Sequence, residues 1–171
     1  GDALVPTPLG AAVATAQGLL ADRLRRLDVA FEVKIRPEGL GVLADPGLVE
    51  QVLVNLMVNA LDAMAATDPA TAPRRLRVVA GLRRGAQGER VQVQVQDNGP
   101  GIAPEMRARL FEPFATSKPA GAGLGLGLTI SQRIVRSFGG ELGVCETTDP
   151  DCSGACFCID LPACTAEPAP P

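Results

Sequence analysis

Val91-Gln92-Val93-Gln94-Val95-Gln96-Asp97-Asn98-Gly99-Pro100-Gly101-Ile102 (residues 91–102) is the stretch whose reading decides the fold of this chain. Valine at every second position against glutamine is period two, the pattern of a strand with one face on a core. The strand ends on a carboxylate, Asp97, and runs into a Gly/Pro turn where backbone is left bare of side chains. Immediately upstream, Leu76, Val78, Ala80 and Leu82 alternate with Arg75, Arg77 and Val79, and the polar link from Arg83 to Arg90 joins the two runs. These two strands are expected to pair antiparallel.

Working outward, Leu9, Val13, Ala16, Leu20, Leu24 and Leu27 stand at helical spacing, so one amphipathic helix is expected from Pro8 to Leu27. Val29 to Arg36 alternates as a strand, Pro37-Glu38-Gly39 turns the chain, and Gly41 to Ala44 follows as a second strand, together a predicted hairpin. Asp45-Pro46 is a helix start, and apolar positions from Val49 to Met64 carry the longest helix until Asp68-Pro69 stops it. Beyond Ile102 a Gly/Pro-rich loop extends to Gly123, then a helix through Thr129, Ile130, Ile134, Val135 and Phe138 stops at Gly139-Gly140. Strands Glu141 to Glu146 and Ala155 to Leu161 close the pattern. The predicted fold class is α/β (α+β): a two-layer sandwich whose mixed sheet is covered by helices on one face. Residues 1–164 are expected to form one domain and 165–171 a disordered, Pro-rich tail.

Composition removes several function classes. The 171 residues are 46% hydrophobic, enough for one core, while a net charge of −3 and 3% aromatics offer neither the basic field nor the stacking platforms of a nucleic-acid binder. No uninterrupted apolar stretch suits a membrane span, so direct insertion of this segment is not expected. Histidine is absent, which excludes imidazole metal ligands, His-based acid–base chemistry and a phosphohistidine formed within the chain. The five cysteines, Cys145, Cys152, Cys156, Cys158 and Cys164, are odd in number and match no common zinc spacing; they are expected to be reduced, in a cytosolic setting.

Chemistry begins on the long helix. Gln51, Asn55 and Asn59 stand at i, i+4 and i+8, a polar stripe on an otherwise apolar helix. Their amide oxygens suit Mg²⁺, a hard cation usually shared with nucleotide phosphates. Taken alone, the stripe is better read as a solvated helix face or an interhelical hydrogen bond. Asp97, at a strand end, can accept from the exocyclic amine of adenine while Gly99 and Gly101 let backbone approach the ring, although an ordinary Asx turn fits the same residues. Gly121, Gly123, Gly125 and Gly127 lead into a helix and offer bare N–H groups to phosphate at a positive dipole end. Interleaved Leu124, Leu126 and Leu128 speak against a flexible linker. Lys118 is one of two lysines, and its place before the glycines fits a phosphate-facing charge as well as a solvated loop residue.

Four ordered segments carry a family resemblance. Asn55-Leu-Met-Val-Asn59-Ala-Leu-Asp-Ala-Met64 resembles the N box of sensor histidine kinase ATP-binding domains, Asp97 to Ile102 their first glycine box, Leu110-Phe-Glu-Pro-Phe114 their F box, and Gly121 to Leu128 their second glycine box. The subgroup it is similar to includes the C4-dicarboxylate and nitrogen sensor kinases. That resemblance implies a Bergerat fold, a mostly antiparallel sheet backed by about three helices, with the segment from about Asn98 to Gly123 as a mobile lid over ATP. It implies Asn59 as the Mg²⁺ ligand helped by Asn55, and Asp97, Gly99, Gly101 and Ile102 at adenine. Lys118 and Gly121, Gly123, Leu124, Gly125, Leu126 and Gly127 would lie at the phosphates. Phe111 and Phe114 would anchor the lid or meet a partner domain, or simply pack in the core.

The hydrolytic relatives, gyrase, Hsp90 chaperones and mismatch-repair ATPases, carry a glutamate where this chain has Asn55. An amide cannot take a proton from water, so Asn55 favours transfer to a histidine over hydrolysis. The acceptor histidine is then expected on a dimerisation domain outside this chain, with a response regulator receiver domain downstream. The expected setting is the cytoplasmic domain of an inner-membrane sensor kinase. A non-catalytic ATP/ADP-sensing module and an ATPase of the gyrase and chaperone kind are the alternatives. Asp62, where some sensor kinases carry a basic residue, implies fewer cationic phosphate contacts.

Overall fold

A computed structural model describes residues 4–86, 88–113, 127–147 and 149–165. The chain opens with β1 (Val5–Pro8), followed by α1 (Leu9–Leu19) and α2 (Ala21–Arg26), then β2 (Ala30–Arg36), β3 (Leu40–Ala44) and the long α3 (Pro46–Ala65). Next come the paired strands β4 (Arg75–Gly85) and β5 (Gly88–Asp97), the short α4 (Pro104–Arg107), α5 (Gly127–Ser137), β6 (Glu141–Val144), a 3-10 turn (Pro150–Cys152) and β7 (Cys156–Thr165).

The strands form one seven-stranded mixed sheet in the order β1-β3-β7-β5-β4-β2, with β6 also paired to β7. α1 and α5 pack against α3, and α1, α3 and α5 together cover the face carrying Leu76, Val78, Val91, Val93, Val95, Phe157 and Ile159. This is the expected two-layer sandwich. The β4–β5 hairpin has the expected antiparallel register, Val78 opposite Val95 and Leu76 opposite Asp97, which sets Asp97 at the end of its strand beside the start of β4.

α3 is the helix that positions the site. Asp45 caps it, its Oδ1 accepting from the N–H groups of Gly47 at 3.0 Å and Leu48 at 3.3 Å, with Pro46 in the first turn. Leu56, Met57, Leu61 and Met64 are fully buried beneath it, each contributing about 1.5–3 kcal/mol of apolar burial. At its other end the Arg74 guanidinium donates to the carbonyls of Met64 (2.8 Å), Thr67 (2.7 Å) and Leu27 (2.9 Å), satisfying oxygens that a helix terminus leaves orphaned. Its length and apolarity match a membrane span, but its apolar stripe lies in the core and it carries the polar stripe of Asn55 and Asn59.

The structure corrects three expectations. The predicted hairpin from Val29 to Ala44 does not form: β2 pairs in parallel with β4, Ala30 opposite Arg75, while β3 pairs antiparallel with β1 and β7. The α3 crossover makes that possible, because it returns the chain to the sheet running the same way as β2. The helix predicted from Pro8 to Leu27 is two, divided at Leu20, whose N–H is shared between the carbonyls of Ala16 and Gln17 at 3.2 Å each. Pro8 belongs to edge strand β1, where a missing N–H is tolerated. The cysteines are not all reduced: Cys145 and Cys156 form a disulfide, with Cα atoms 5.2 Å apart. The β6–β7 ladder, Val144 opposite Phe157, continues by one step, and the Cys145 N–H donates to the Cys156 carbonyl at 2.9 Å. The odd count argued only against complete pairing; Cys152, Cys158 and Cys164 remain free thiols. The tail expected beyond Cys164 lies outside the described residues from 166 onward, and Thr165 ends β7 opposite Leu40.

Candidate nucleotide site

Asp97 is the centre of the site. It is 2% exposed, and its Oδ1 accepts from the N–H groups of Gly99 at 2.9 Å and Ala155 at 3.1 Å. Its own main chain is held by the β6–β7 connection: Asp97 N–H donates to the Ala155 carbonyl at 3.0 Å, and Gly154 N–H donates to the Asp97 carbonyl at 2.9 Å. Among the described residues no donor reaches Oδ2. Burial pushes the Asp97 carboxyl above the usual carboxylate range, partly offset by the Gly99 and Ala155 N–H groups. A carboxylate so placed has one oxygen fixed and one available to accept.

Backbone packs tightly around it. A Cβ on Gly99 would stand 3.1 Å from Asp97 Oδ1 and 3.5 Å from Ala63 and Met64 of α3, so this turn sits directly on the helix. A Cβ on Gly154 would come within 2.7 Å of both the N and O of Gly99, and closer still to the Asp97 carboxylate. Only glycine fits there. Gly101 turns the chain at φ +81°, and half-buried Ile102 packs on the core. Asn98 staples the turn to β4: its Oδ1 accepts from Arg75 N–H at 2.8 Å and its amide donates to the Pro73 carbonyl at 2.6 Å.

The helical stripe divides in two. Asn55 donates from Nδ2 to the Oγ of Ser131 at 3.1 Å, joining α3 to α5, so the interhelical hydrogen bond left open by the sequence is present. Its carbonyl oxygen is not used by that bond. Asn59, half-buried, makes no hydrogen bond to any described residue, which leaves its amide oxygen available to a cation or to water. Asp62, next on the stripe, pairs with Arg23 of α2 at 2.5 Å. Gly127 opens α5, four residues before the Ser131 that receives the Asn55 hydrogen bond. Of the segment expected as a lid, residues 98–113 are described: α4 lies there, Leu110 is buried, and Phe111 packs on the core while its carbonyl accepts from Thr129 Oγ1 at 2.9 Å. Phe114, Lys118, Gly121, Gly123, Leu124, Gly125 and Leu126 lie outside the described residues.

Two contributors escaped the sequence reading. Ser131 had a signal, a polar residue in the apolar series Leu128, Val135, Phe138, and it proves fully buried. Gly154 had none beyond a generic turn, since its role depends on the β7 register that lays it over Gly99.

The arrangement fits a Mg-nucleotide: a buried carboxylate with one oxygen that no described donor reaches, backbone that a Cβ would obstruct, and on the adjoining helix an amide that bonds no described residue. Residues 44–165 match the family described as histidine kinase-, DNA gyrase B-, and HSP90-like ATPase. The two-component sensor PprA of Pseudomonas aeruginosa is 38% identical over 152 residues, covering 89% of this chain and 16% of that protein. The C4-dicarboxylate transport sensor protein DctB of Rhizobium meliloti is 37% identical over 156 residues, covering 91% of this chain and 23% of that protein. The chain thus spans under a quarter of the length of either relative. Among solved structures, the catalytic domain of histidine kinase ThkA superposes with a TM-score of 0.75 at 26% identity, covering 93% of this chain and 95% of that one. Full-length ShkA in complex with AMPPNP superposes with a TM-score of 0.75 at 29% identity, covering 95% and 32%.

The chain belongs to the histidine kinase-, DNA gyrase B-, and HSP90-like ATPase family. Within it, the chain is similar to the catalytic domains of sensor histidine kinases.

Proposed function

We propose that this domain binds Mg-ATP and positions its γ-phosphoryl group for transfer to a histidine on a dimerisation domain outside the chain. The observation that carries the reading is Asp97: buried, with Oδ1 saturated by two backbone N–H groups and Oδ2 open, it is built to accept one hydrogen bond from an adenine amine. The Gly99 turn, lying against Ala63 and Met64, forms the floor for the ring. The oxygens of Asn59 and Asn55 offer hard ligands to Mg²⁺, whose bound charge would neutralise the phosphate oxygens. Gly127 at the start of α5, with Gly121, Gly123, Leu124, Gly125, Leu126 and Lys118 before it, is assigned to the phosphates on the family pattern.

Asn55 cannot act as base toward water, because an amide does not take a proton at neutral pH. The chain's contribution is binding and alignment, with the imidazole of the partner supplying the nucleophile. The response regulator receiver domain would take the phosphoryl group next; the solved complex of ThkA with the response regulator protein TrrA is the parallel, though at 23% identity it speaks for the fold alone. The setting proposed is the cytoplasmic part of a membrane sensor, on the pattern of the sensor relatives. Residues 1–164 are proposed as one domain. Incubating the domain with γ-labelled ATP and a separately made histidine-bearing dimerisation domain tests the reading. Label on the partner is expected; steady phosphate release without it would instead make this an ATPase, and binding without transfer a sensing module.

A further inference from the structure

We infer that Cys145 and Cys156 form a reversible dithiol/disulfide site that controls how firmly the β6–β7 connection holds Asp97. The disulfide closes the segment 145–156, and that same segment supplies every contact holding Asp97 from above: the Gly154 N–H to its carbonyl, the Ala155 N–H to Oδ1, and the Ala155 carbonyl for its N–H. Gly154 also lies against Gly99, the turn beneath. The segment has two further anchors. Asp149 pairs with buried Arg77 of β4, and Glu146, adjoining Cys145, pairs with Arg107 of α4 at 2.9 Å. The covalent link therefore closes a loop whose last two residues before Cys156, Gly154 and Ala155, are the roof of the proposed adenine corner.

The two sulfurs are unequal in access. Cys145 is half-buried whereas Cys156 is 1% exposed, so an incoming thiolate reaches Cys145 first. A small or protein dithiol of the cytosolic kind is the co-reactant. Its thiolate attacks the Cys145 sulfur, the S–S bond breaks, and Cys156 leaves as a thiolate that takes up a proton. The second thiol of the reagent then attacks the mixed disulfide, closes the reagent's own disulfide and releases Cys145, which also becomes a thiol. Two electrons and two protons pass from reagent to protein. Cys152, buried inside the same loop with its thiol pushed up by that burial, stays protonated and is not the attacking group. Disulfides that do form in a reducing cytosol are characteristically transient and redox-sensing, which suits the setting proposed above.

The inference rests on the reading of Asp97 as the adenine acceptor. The test titrates the whole chain with Mg-ADP by calorimetry, once oxidised and once after dithiothreitol, with alkylation and mass measurement counting the free thiols. Amide exchange at Gly99, Gly154 and Ala155 is followed in both states. Reduction is expected to add two alkylatable thiols, to speed exchange at Gly154 and Ala155, and to weaken Mg-ADP binding about three- to tenfold, since a local opening draws on only part of what a disulfide contributes. The Cys145→Ser/Cys156→Ser pair should show the weakened affinity and no dithiol response; the dithiol-treated natural chain serves if that variant does not fold. Equal Mg-ADP affinity and equal exchange in the two states overturn the inference and leave the adenine reading standing. Absence of Mg-ADP binding in both states overturns both.

Discussion

The two ends of the site are made in opposite ways. At the proposed adenine end, around Asp97, Gly99 and Gly154, the chemistry is main chain: a single carboxylate is fixed by backbone N–H groups from two segments, and glycines are required because nothing larger fits. At the proposed metal end, on α3 and α5, it is side chain: Asn55 is tied to Ser131, and Asn59 is tied to nothing described. A site assembled from packed backbone tolerates almost no change in volume, whereas one assembled from amides tolerates change in volume but not in chemistry. The two ends should therefore break differently when mutated.

The largest effect is expected from Gly154→Ala. Its methyl group must enter space held by the Asp97 carboxylate and the Gly99 backbone, and since those atoms belong to a strand end and a turn against α3, relief requires moving main chain. A loss of about 2–4 kcal/mol in urea unfolding is expected, together with a fall of about 100-fold or more in Mg-ADP affinity. Unchanged affinity would show that the adenine end is looser than its packing implies.

Asp97→Asn comes next and separates volume from chemistry. The amide keeps the shape and one acceptor, but with Oδ1 toward Gly99 and Ala155 it turns an NH₂ group toward the position an adenine amine would occupy, donor against donor. Losing a hydrogen bond to a charged group corresponds to about 10- to 100-fold in nucleotide affinity by calorimetry. Stability should not fall, because the buried charge disappears with it. A variant that binds normally would remove Asp97 from the site.

These contrasts also explain what the sequence could reveal. The amide end was legible in advance: Asn55 and Asn59 interrupt a helical apolar series, and Asp45-Pro46 marks the helix start. Strand β5 and its hairpin partner were equally plain, because the alternation is strict and the pairing local. What failed depended on contacts distant in sequence. The parallel pairing of β2 with β4 looks like a hairpin with β3 when read locally, since Pro37-Glu38-Gly39 is good turn chemistry whichever strand comes next. The Cys145–Cys156 bond and the role of Gly154 follow from a β7 register that no local pattern encodes. Edge strand β1 escaped because two of its four residues are prolines.

The metal end supplies a paired prediction of intermediate size. Asn59→Ala removes an amide that bonds no described residue, so unfolding free energy should stay within about 0.5 kcal/mol while affinity for nucleotide falls about tenfold in the presence of Mg²⁺ and little in its absence. Asn55→Ala should do the reverse in part. It strips the donor from Ser131 Oγ, which is fully buried, and should cost about 1–3 kcal/mol of stability whether or not Mg²⁺ is present. Equal stability losses in the two variants would contradict the division of the stripe.

The smallest effect, and the one that joins the two ends, is in pH. Burial raises the Asp97 pKa in the folded protein above its unfolded value, so between the two values the folded state holds the proton that the unfolded state has lost. Stability of the nucleotide-free protein is accordingly fuller below the unfolded pKa and declines as pH rises through the folded one. Nucleotide affinity runs the other way, strengthening over the same interval as the accepting carboxylate forms. Urea unfolding and Mg-ADP calorimetry across the acid range should give opposite slopes in the natural chain, and Asp97→Asn should flatten both. Parallel slopes, or slopes that survive the substitution, would assign the titration to a group other than Asp97.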